Sequence, residues 1–257
     1  MVTIPSLSLL DKVAIITGGR RGIGRAIALA FAEAGAHVAV LDKVTETGEL
    51  EAVVEAIKKL GRRSLSGKVD VTHKSEVDNF VKTVTKEFGS FDILVNNAAV
   101  LIRGSLLEFQ EDAWDEVLDT DLKGYLLCAH ACCLQMINQK SGNIINMASD
   151  DAFRASKVGS VPYGIAKTGV VMLTRILAKQ LGAYNIRVNA IAPGTVRTEF
   201  SRFAWSNTEY LKEMEVNIPQ GRIAEPSDIV GPALFLASKA SNYITGHTIV
   251  VDGGRMA

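Results

Sequence analysis

Hydrophobic and polar positions along this 257-residue chain follow two alternating rhythms. Short runs rich in Val and Ile, each bounded by turn residues, fall at Val13 to Thr17, Val38 to Asp42, Asp92 to Asn96, Asn143 to Met147, Arg187 to Ile191 and Thr248 to Asp252, and predict strands. Between them, stretches such as Gly24 to Ala34 and Gly164 to Leu181 place apolar residues three and four apart, the spacing of one helix face. Such alternation predicts parallel strands joined by right-handed crossovers, a single-domain doubly wound α/β sheet over residues 1–257 with helices on both faces. The segment 198–223 breaks the rhythm, carrying Phe200, Phe203, Trp205 and Tyr210 without a strand pattern, and is expected to form a lid over a substrate site.

Composition narrows the partners. With 47% hydrophobic residues the chain can bury a full core, and 28 basic residues balance 28 acidic ones, so it carries neither a basic footprint for nucleic acid nor a field for a membrane surface. No run of eighteen apolar residues occurs, and the opening M-V-T-I-P-S-L-S-L-L-D-K has no basic region ahead of a long apolar stretch, which predicts a soluble, cytoplasmic protein with a small-molecule partner. Cys128, Cys132 and Cys133 sit together at helical spacing and read as buried structural thiols. The four histidines are scattered, and no metal site is expected.

Candidate chemistry begins at residues 17 to 24, T-G-G-R-R-G-I-G, between a strand and a helix. A strand that turns through Gly18, Gly22 and Gly24 into a helix presents free backbone N–H groups at the helix's positive end, which suits a pyrophosphate. Taken alone, a glycine-rich turn also serves plain chain reversal. Asp42, closing the next apolar strand, sits where a carboxylate accepts hydrogen bonds from the adenosine ribose hydroxyls and repels a 2'-phosphate, so NAD is favoured over NADP. Arg20, Arg21 and Lys43 stand nearby; they either offset that repulsion and admit NADP or are solvated loop charges.

A second group is Y-G-I-A-K, with Tyr163 and Lys167 one helical turn apart. A cation beside a phenol favours the phenolate and lowers the tyrosine from its ordinary value of roughly 10 toward the range of a general acid and base. Ser149 follows the strand N-I-I-N-M, at the sheet edge where parallel sheets bind ligands, and its hydroxyl can donate to a substrate carbonyl; a surface-loop serine would read the same way.

These residues, together with Asp70 in V-D-V, N-N-A-A at 96 to 99, P-G-T-V-R-T at 193 to 198 and the closing I-V-V-D-G-G, resemble the short-chain dehydrogenase/reductase family in register from about Leu9 to Gly254. The resemblance implies a Rossmann-type domain that moves hydride between a nicotinamide cofactor and an alcohol or carbonyl carbon. It implies Tyr163 as acid/base, Ser149 as the group orienting the substrate oxygen, and Lys167 as the residue that lowers the tyrosine and holds the nicotinamide ribose. Cofactor contacts implied are Gly18, Arg20, Arg21, Gly22, Ile23, Asp42 and Lys43 around the first turn. Asp70, Val71, Asn97, Ala98 and Ala99 follow, then Tyr163, Lys167, Pro193, Gly194, Val196 and Thr198. Helices near 108–138 and 162–182 resemble those of the family's dimer interface, which implies a homodimer or homotetramer.

The sequence departs from the family pattern in two places. Asp121, in T-D-L-K-G, stands where Asn is usual for a fourth catalytic residue; an ionised carboxylate only accepts hydrogen bonds, and its charge favours the ammonium form of Lys167. The interval from Ser149 to Tyr163 is one residue longer than in many relatives, which a loop absorbs at small cost. For the substrate, Ser149, Asp150, Asp151 and Arg103 suggest hydrogen bonding to several hydroxyls, as in a sugar or polyol. Phe153, Phe200, Phe203 and Trp205 suit a steroid, alicyclic ketone or acyl chain equally well, and Val158 and Thr195 are further wall candidates. An NADP-dependent carbonyl or 3-oxoacyl reductase and a non-catalytic cofactor-binding protein are the alternatives.

Overall fold

The computed structural model describes residues 6–108, 110–155 and 160–257; the candidate wall residue Val158 lies outside them. In chain order the elements are β1 (Val13–Thr17), α1 (Gly22–Glu33), β2 (His37–Asp42), α2 (Glu49–Lys59), β3 (Ser64–Lys68), α3 (Lys74–Phe88) and β4 (Ile93–Asn96). There follow α4 (Glu111–Leu118), α5 (Gly124–Gln139), β5 (Gly142–Met147), α6 (Val161–Leu181), β6 (Ile186–Pro193), α7 (Arg202–Trp205), α8 (Thr208–Val216), α9 (Pro226–Ala237) and β7 (Thr248–Val251). The strands form one parallel sheet in the order β3-β2-β1-β4-β5-β6-β7.

Alternate residues of β1 show why its run is continuously apolar. Ala14 and Ile16 face a layer built from α1, α2 and α9, with Ile27, Phe31, Val53, Ile57, Ile229 and Leu236. Val13 and Ile15 face the opposite layer of α3, α5 and the end of α6, with Phe80, Val84, Cys132, Met136 and Leu181. Both faces are therefore covered, as a parallel sheet requires. Cys128 and Cys132 pack in this second layer, and burial pushes the Cys128 thiol up to about 12. Helix α2 follows the same logic on one face: Leu50, Val53, Val54 and Ile57 are buried, with Glu49 and Glu51 in its first turn and Lys58 and Lys59 in its last, where they complement the helix dipole.

The sequence pattern missed β3. Its S-L-S-G-K carries one large apolar residue, because an edge strand is held by backbone pairing to β2 and by Ser64 Oγ donating to the Val38 carbonyl (2.8 Å). Gly67 is required there, since a Cβ would lie 2.5 Å from the Phe80 ring. Between α4 and α5 the chain makes one π-helical turn, Asp119–Lys123, which turns Asp121 into the interior. Among the described residues no helix is long and apolar enough to cross a membrane.

Two glycines tie the fold to the site. Gly18 has φ +64°, and a Cβ on Gly24 would sit 2.2 Å from the Gly18 carbonyl oxygen, so helix α1 starts only if residue 24 has no side chain. Gly24→Ala therefore lowers stability by about 1 to 3 kcal/mol, a fall in thermal midpoint of roughly 2 to 12 °C at this chain length. Gly231→Ala, in α9 with nothing within 4 Å of the added carbon, holds or raises the midpoint. Equal melting of the two variants would contradict the contact.

Candidate active site

Strands β1, β4, β5 and β6 end on one edge of the sheet, and the cleft there has a volume of about 410 Å³. Its first wall is the turn from β1 into α1. Thr17 Oγ1 accepts hydrogen bonds from the amides of Asn97 and Ala98 (both 2.9 Å), and Asn97 Nδ2 donates to the carbonyls of Thr17 and Gly18 (both 3.0 Å). The Asn97 side chain is thus spent on holding the turn open, a role its sequence assignment as a cofactor contact did not foresee. Gly18 and Gly22 both take the left-handed conformation, and Gly18, Arg20, Arg21, Gly22 and Ile23 line the cleft. Such a turn at a helix N-terminus could hold a phosphate.

At the end of β2, Asp42 Oδ1 accepts from the Val44 amide (3.0 Å) and lies 3.6 Å from Arg20 Nε. Arg20, itself buried, also pairs with Glu49. Lys43 lies 3.7 Å from Glu116. Asp70, Val71, Ala98 and Ala99 line the cleft beyond, and Asp70 Oδ1 accepts from the amide and hydroxyl of Thr72. Pro193, Gly194, Val196 and Thr198, at and after the end of β6, close the far side.

The catalytic candidates meet where β5 ends. Ser149 lies two residues beyond the end of β5; its hydroxyl accepts from the Asp151 amide (3.2 Å) and donates to Asp150 Oδ1 (3.4 Å). Helix α6 starts with Ser160 Oγ accepting from the Tyr163 amide (3.4 Å) and Pro162 in its first turn, which brings Tyr163 and Lys167 to the cleft. Lys167 is fully buried, its Nζ 5.4 Å from the centre of the Tyr163 ring. It donates to the Met147 carbonyl (3.0 Å) and to Tyr125 Oη (3.2 Å), and lies 3.1 Å from Asp121 Oδ2. Asp121 lies behind the cleft rather than in its wall, with Oδ1 accepting from the Val100 amide (2.8 Å).

The electrostatics correct one sequence expectation. Tyr163 is held above the ordinary tyrosine value, not below it: burial penalises the phenolate more than Lys167 favours it, and Asp121 and Tyr125 add to the rise while hydrogen bonding with Ser149 opposes it. Burial likewise raises Asp121, against the pull of Lys167.

Beneath the site runs a buried amide ladder: Asn96 Nδ2 donates to Asn146 Oδ1 (2.9 Å), and Asn146 Nδ2 to Thr174 Oγ1 (2.9 Å) on α6. Sequence reading overlooked it, because two asparagines inside apolar strands carry no periodic signal.

The substrate end of the cleft is charged but paired. Arg154 bridges Asp150 (Nε to Oδ2, 2.9 Å) and Asp151 (Nη2 to Oδ1, 3.0 Å), and Arg255 Nη1 reaches Asp150 Oδ2 and Thr195 Oγ1 (both 3.5 Å). Burial and the adjacent Asp150 raise Asp151. Arg103, Phe200, Phe203, Tyr210 and Met214 complete the wall; Phe200 leans on the Tyr163 ring at 5.9 Å, and Arg103 stacks on Phe203 at 4.0 Å. Phe153 and Trp205 do not line it. Phe153 turns to solvent, and the Trp205 indole N–H is engaged by the Thr198 carbonyl (2.9 Å). Arg154, Met214 and Arg255 were not singled out in the sequence; no local spacing marks them, since only the fold brings them to Ser149.

Comparison with known proteins agrees with this geometry. A family model described as enoyl-(acyl carrier protein) reductase matches residues 18–255. The 3-oxoacyl-[acyl-carrier-protein] reductase FabG of Staphylococcus epidermidis is 40% identical over 95% of this chain and 99% of its own. A short-chain type dehydrogenase/reductase from Mycobacterium marinum superposes with a TM-score of 0.92 at 36% identity, covering 98% of each chain. A gluconate 5-dehydrogenase from Burkholderia cenocepacia, solved with NADP and tartrate, does so with a TM-score of 0.92 at 31% identity, covering 97% of each. With the glycine turn, the parallel sheet and the Ser149, Tyr163 and Lys167 group on one edge, the chain belongs to the short-chain dehydrogenase/reductase family of oxidoreductases, which use a nicotinamide cofactor.

Proposed function

We propose that the protein interconverts a secondary alcohol and a ketone on a small polyhydroxylated substrate, a sugar, sugar acid or polyol, with NAD(H) as hydride carrier. The observation that carries this reading is the convergence of Ser149, Tyr163 and Lys167 at the end of a cleft whose other end is the Gly18 to Gly24 cradle. The left-handed Gly18 and Gly22 fit a pyrophosphate, Asp42 the adenosine ribose, and Lys167 with Pro193, Gly194, Val196 and Thr198 the nicotinamide end. When bound, the nicotinamide supplies or accepts the hydride. Ser149 donates to the substrate oxygen and fixes its position. Tyr163 then gives that oxygen a proton in reduction or, as phenolate, removes it in oxidation. Thr17 and Asn97 keep the cradle open, and the segment 198–223 acts as the substrate lid, its Phe200 and Phe203 excluding water.

Asp42 supports NAD, because Arg20 is already committed to Asp42 and Glu49 and is not left to receive a 2'-phosphate. The polar floor of Asp150, Asp151, Arg154, Arg255 and Thr195 supports a substrate with several hydroxyls, as does the likeness to a gluconate 5-dehydrogenase. The apolar wall of Phe200, Phe203 and Met214, with the likeness to FabG, supports a second reading as an NADP-dependent 3-oxoacyl reductase. Leu126 and Leu134 on α5 and Ile165, Met172 and Ile176 on α6 are large apolar side chains left exposed, and support assembly of the chain with its own copies as a homodimer or homotetramer.

The deciding assay follows NAD(H) and NADP(H) in parallel over aldoses, polyols, sugar acids and a 3-oxoacyl thioester. Turnover with NAD on a polyol or sugar acid is expected, and turnover confined to NADPH and the thioester establishes the second reading instead. Tyr163→Phe reduces turnover by about 10² to 10⁴-fold while NADH still binds; retained activity removes Tyr163 from its role. Asp42→Ser shifts the cofactor preference toward NADP by about tenfold, the worth of one lost charged hydrogen bond, and an unchanged preference dismisses the ribose assignment. Light scattering is expected to give two or four times the 27.6 kDa chain mass; a monomer ends the assembly proposal.

A further inference from the structure

Lys167 Nζ carries three hydrogens as an ammonium, and three protein oxygens surround it: the Met147 carbonyl at 3.0 Å, Tyr125 Oη at 3.2 Å and Asp121 Oδ2 at 3.1 Å. Both members of the ion pair are shut away from solvent, with side-chain exposures of 1% for Lys167 and 0% for Asp121. Asp121 is fixed from its other oxygen by the Val100 amide, and Tyr125 Oη donates on to the Met147 carbonyl.

We propose that Asp121 is a positioning residue: as the buried counter-ion of Lys167 it offsets part of the cation's field, so that Tyr163, itself buried, stays a neutral phenol at neutral pH and the site is set to donate a proton, in the direction of carbonyl reduction. This rests on the reading of Tyr163 as the acid/base. An ammonium in contact with a carboxylate acts on a third group as a dipole, which weakens faster with distance than a lone charge. Tyr163, whose ring centre is 5.4 Å from Nζ, meets that dipole, while the carboxylate is 3.1 Å from Nζ. The π-helical turn brings Asp121, α5 brings Tyr125 with Cys128 behind it, α6 brings Lys167, and the end of β5 brings the Met147 carbonyl and Ser149 hydroxyl. The segment after β6 brings the Phe200 ring. Of these only Lys167 is a cation; it and Ser149 favour the phenolate, Asp121 and Tyr125 oppose it, and burial is the largest cause of the phenol's rise. In reduction the substrate oxygen takes the Tyr163 proton directly; in oxidation Tyr163 must first lose that proton to solvent, which confines oxidation to alkaline conditions.

The test reads the phenol itself. Tyrosinate absorbance is titrated with pH in the cofactor-free wild type and in Tyr163→Phe, and the difference isolates Tyr163. The expected step lies above the ordinary tyrosine value of about 10; a step below it overturns the proposal, whether or not Asp121→Asn folds. In Asp121→Asn, compared with the double variant that also carries Tyr163→Phe, the step moves down by about one unit or more. The alkaline rise of the oxidation rate moves down with it, while a step left in place overturns the proposal. Survival of activity in Tyr163→Phe is a separate failure, that of the acid/base reading, and leaves the spectroscopic step readable.

Discussion

The cleft hangs from the junction of β1 and β4, where one hydroxyl and one amide hold two strand ends together. Thr17 Oγ1 takes the amides of Asn97 and Ala98, and Asn97 Nδ2 returns two bonds to the carbonyls of Thr17 and Gly18. These bonds satisfy backbone groups that the sheet ladder leaves unpaired at its end. They also fix the spacing between the strands at the point where the chain's strand order reverses, and in open parallel sheets that crevice is the ligand site. The cradle at Gly18, the neighbouring Ala98 and Ala99, and the ends of β5 and β6 all take their positions from this junction.

What the sequence made legible follows from how local each signal is. The strands of the sheet interior were readable because a strand covered on both faces is mostly apolar, and the edge strand β7 because its T-I-V-V is apolar in sequence, whereas β3, at the other edge, lay hidden in S-L-S-G-K with one large apolar residue. Gly18, Gly22, Asp42, Ser149, Tyr163 and Lys167 were readable because each sits at a strand end or one helical turn from its partner. Arg154 and Arg255 were not, since their meeting on Asp150 is made by tertiary structure, and Trp205 misled because bulk alone does not say which way a side chain turns. The direction of the Tyr163 shift was misread for the same reason. The chain shows Lys167 four residues on, but neither the burial of the phenol nor the carboxylate that the π-helical turn carries to the lysine.

A chain of zero net charge has also built a cleft in which several charges have their opposites beside them. Arg20 is matched by Asp42 and Glu49, Arg154 and Arg255 by Asp150, and Lys167 by Asp121. Paired charges project little field into solvent, so such a site selects its ligand by the direction of hydrogen bonds at short range and gains little from long-range steering.

The ladder from Asn96 through Asn146 to Thr174 has a mechanical consequence. Helix α6 rests on the sheet mainly through apolar contacts, which tolerate sliding, and a slip of one turn would carry Tyr163 and Lys167 about 5.4 Å along the helix axis. Thr174 stands on the same face two turns beyond Lys167, and its bond to Asn146 survives at a single axial position. Any slip leaves a buried amide unpaired. The ladder therefore works as a detent that indexes the helix against the sheet, so the placement of the Tyr163 phenol is guarded by three side chains deep in the core.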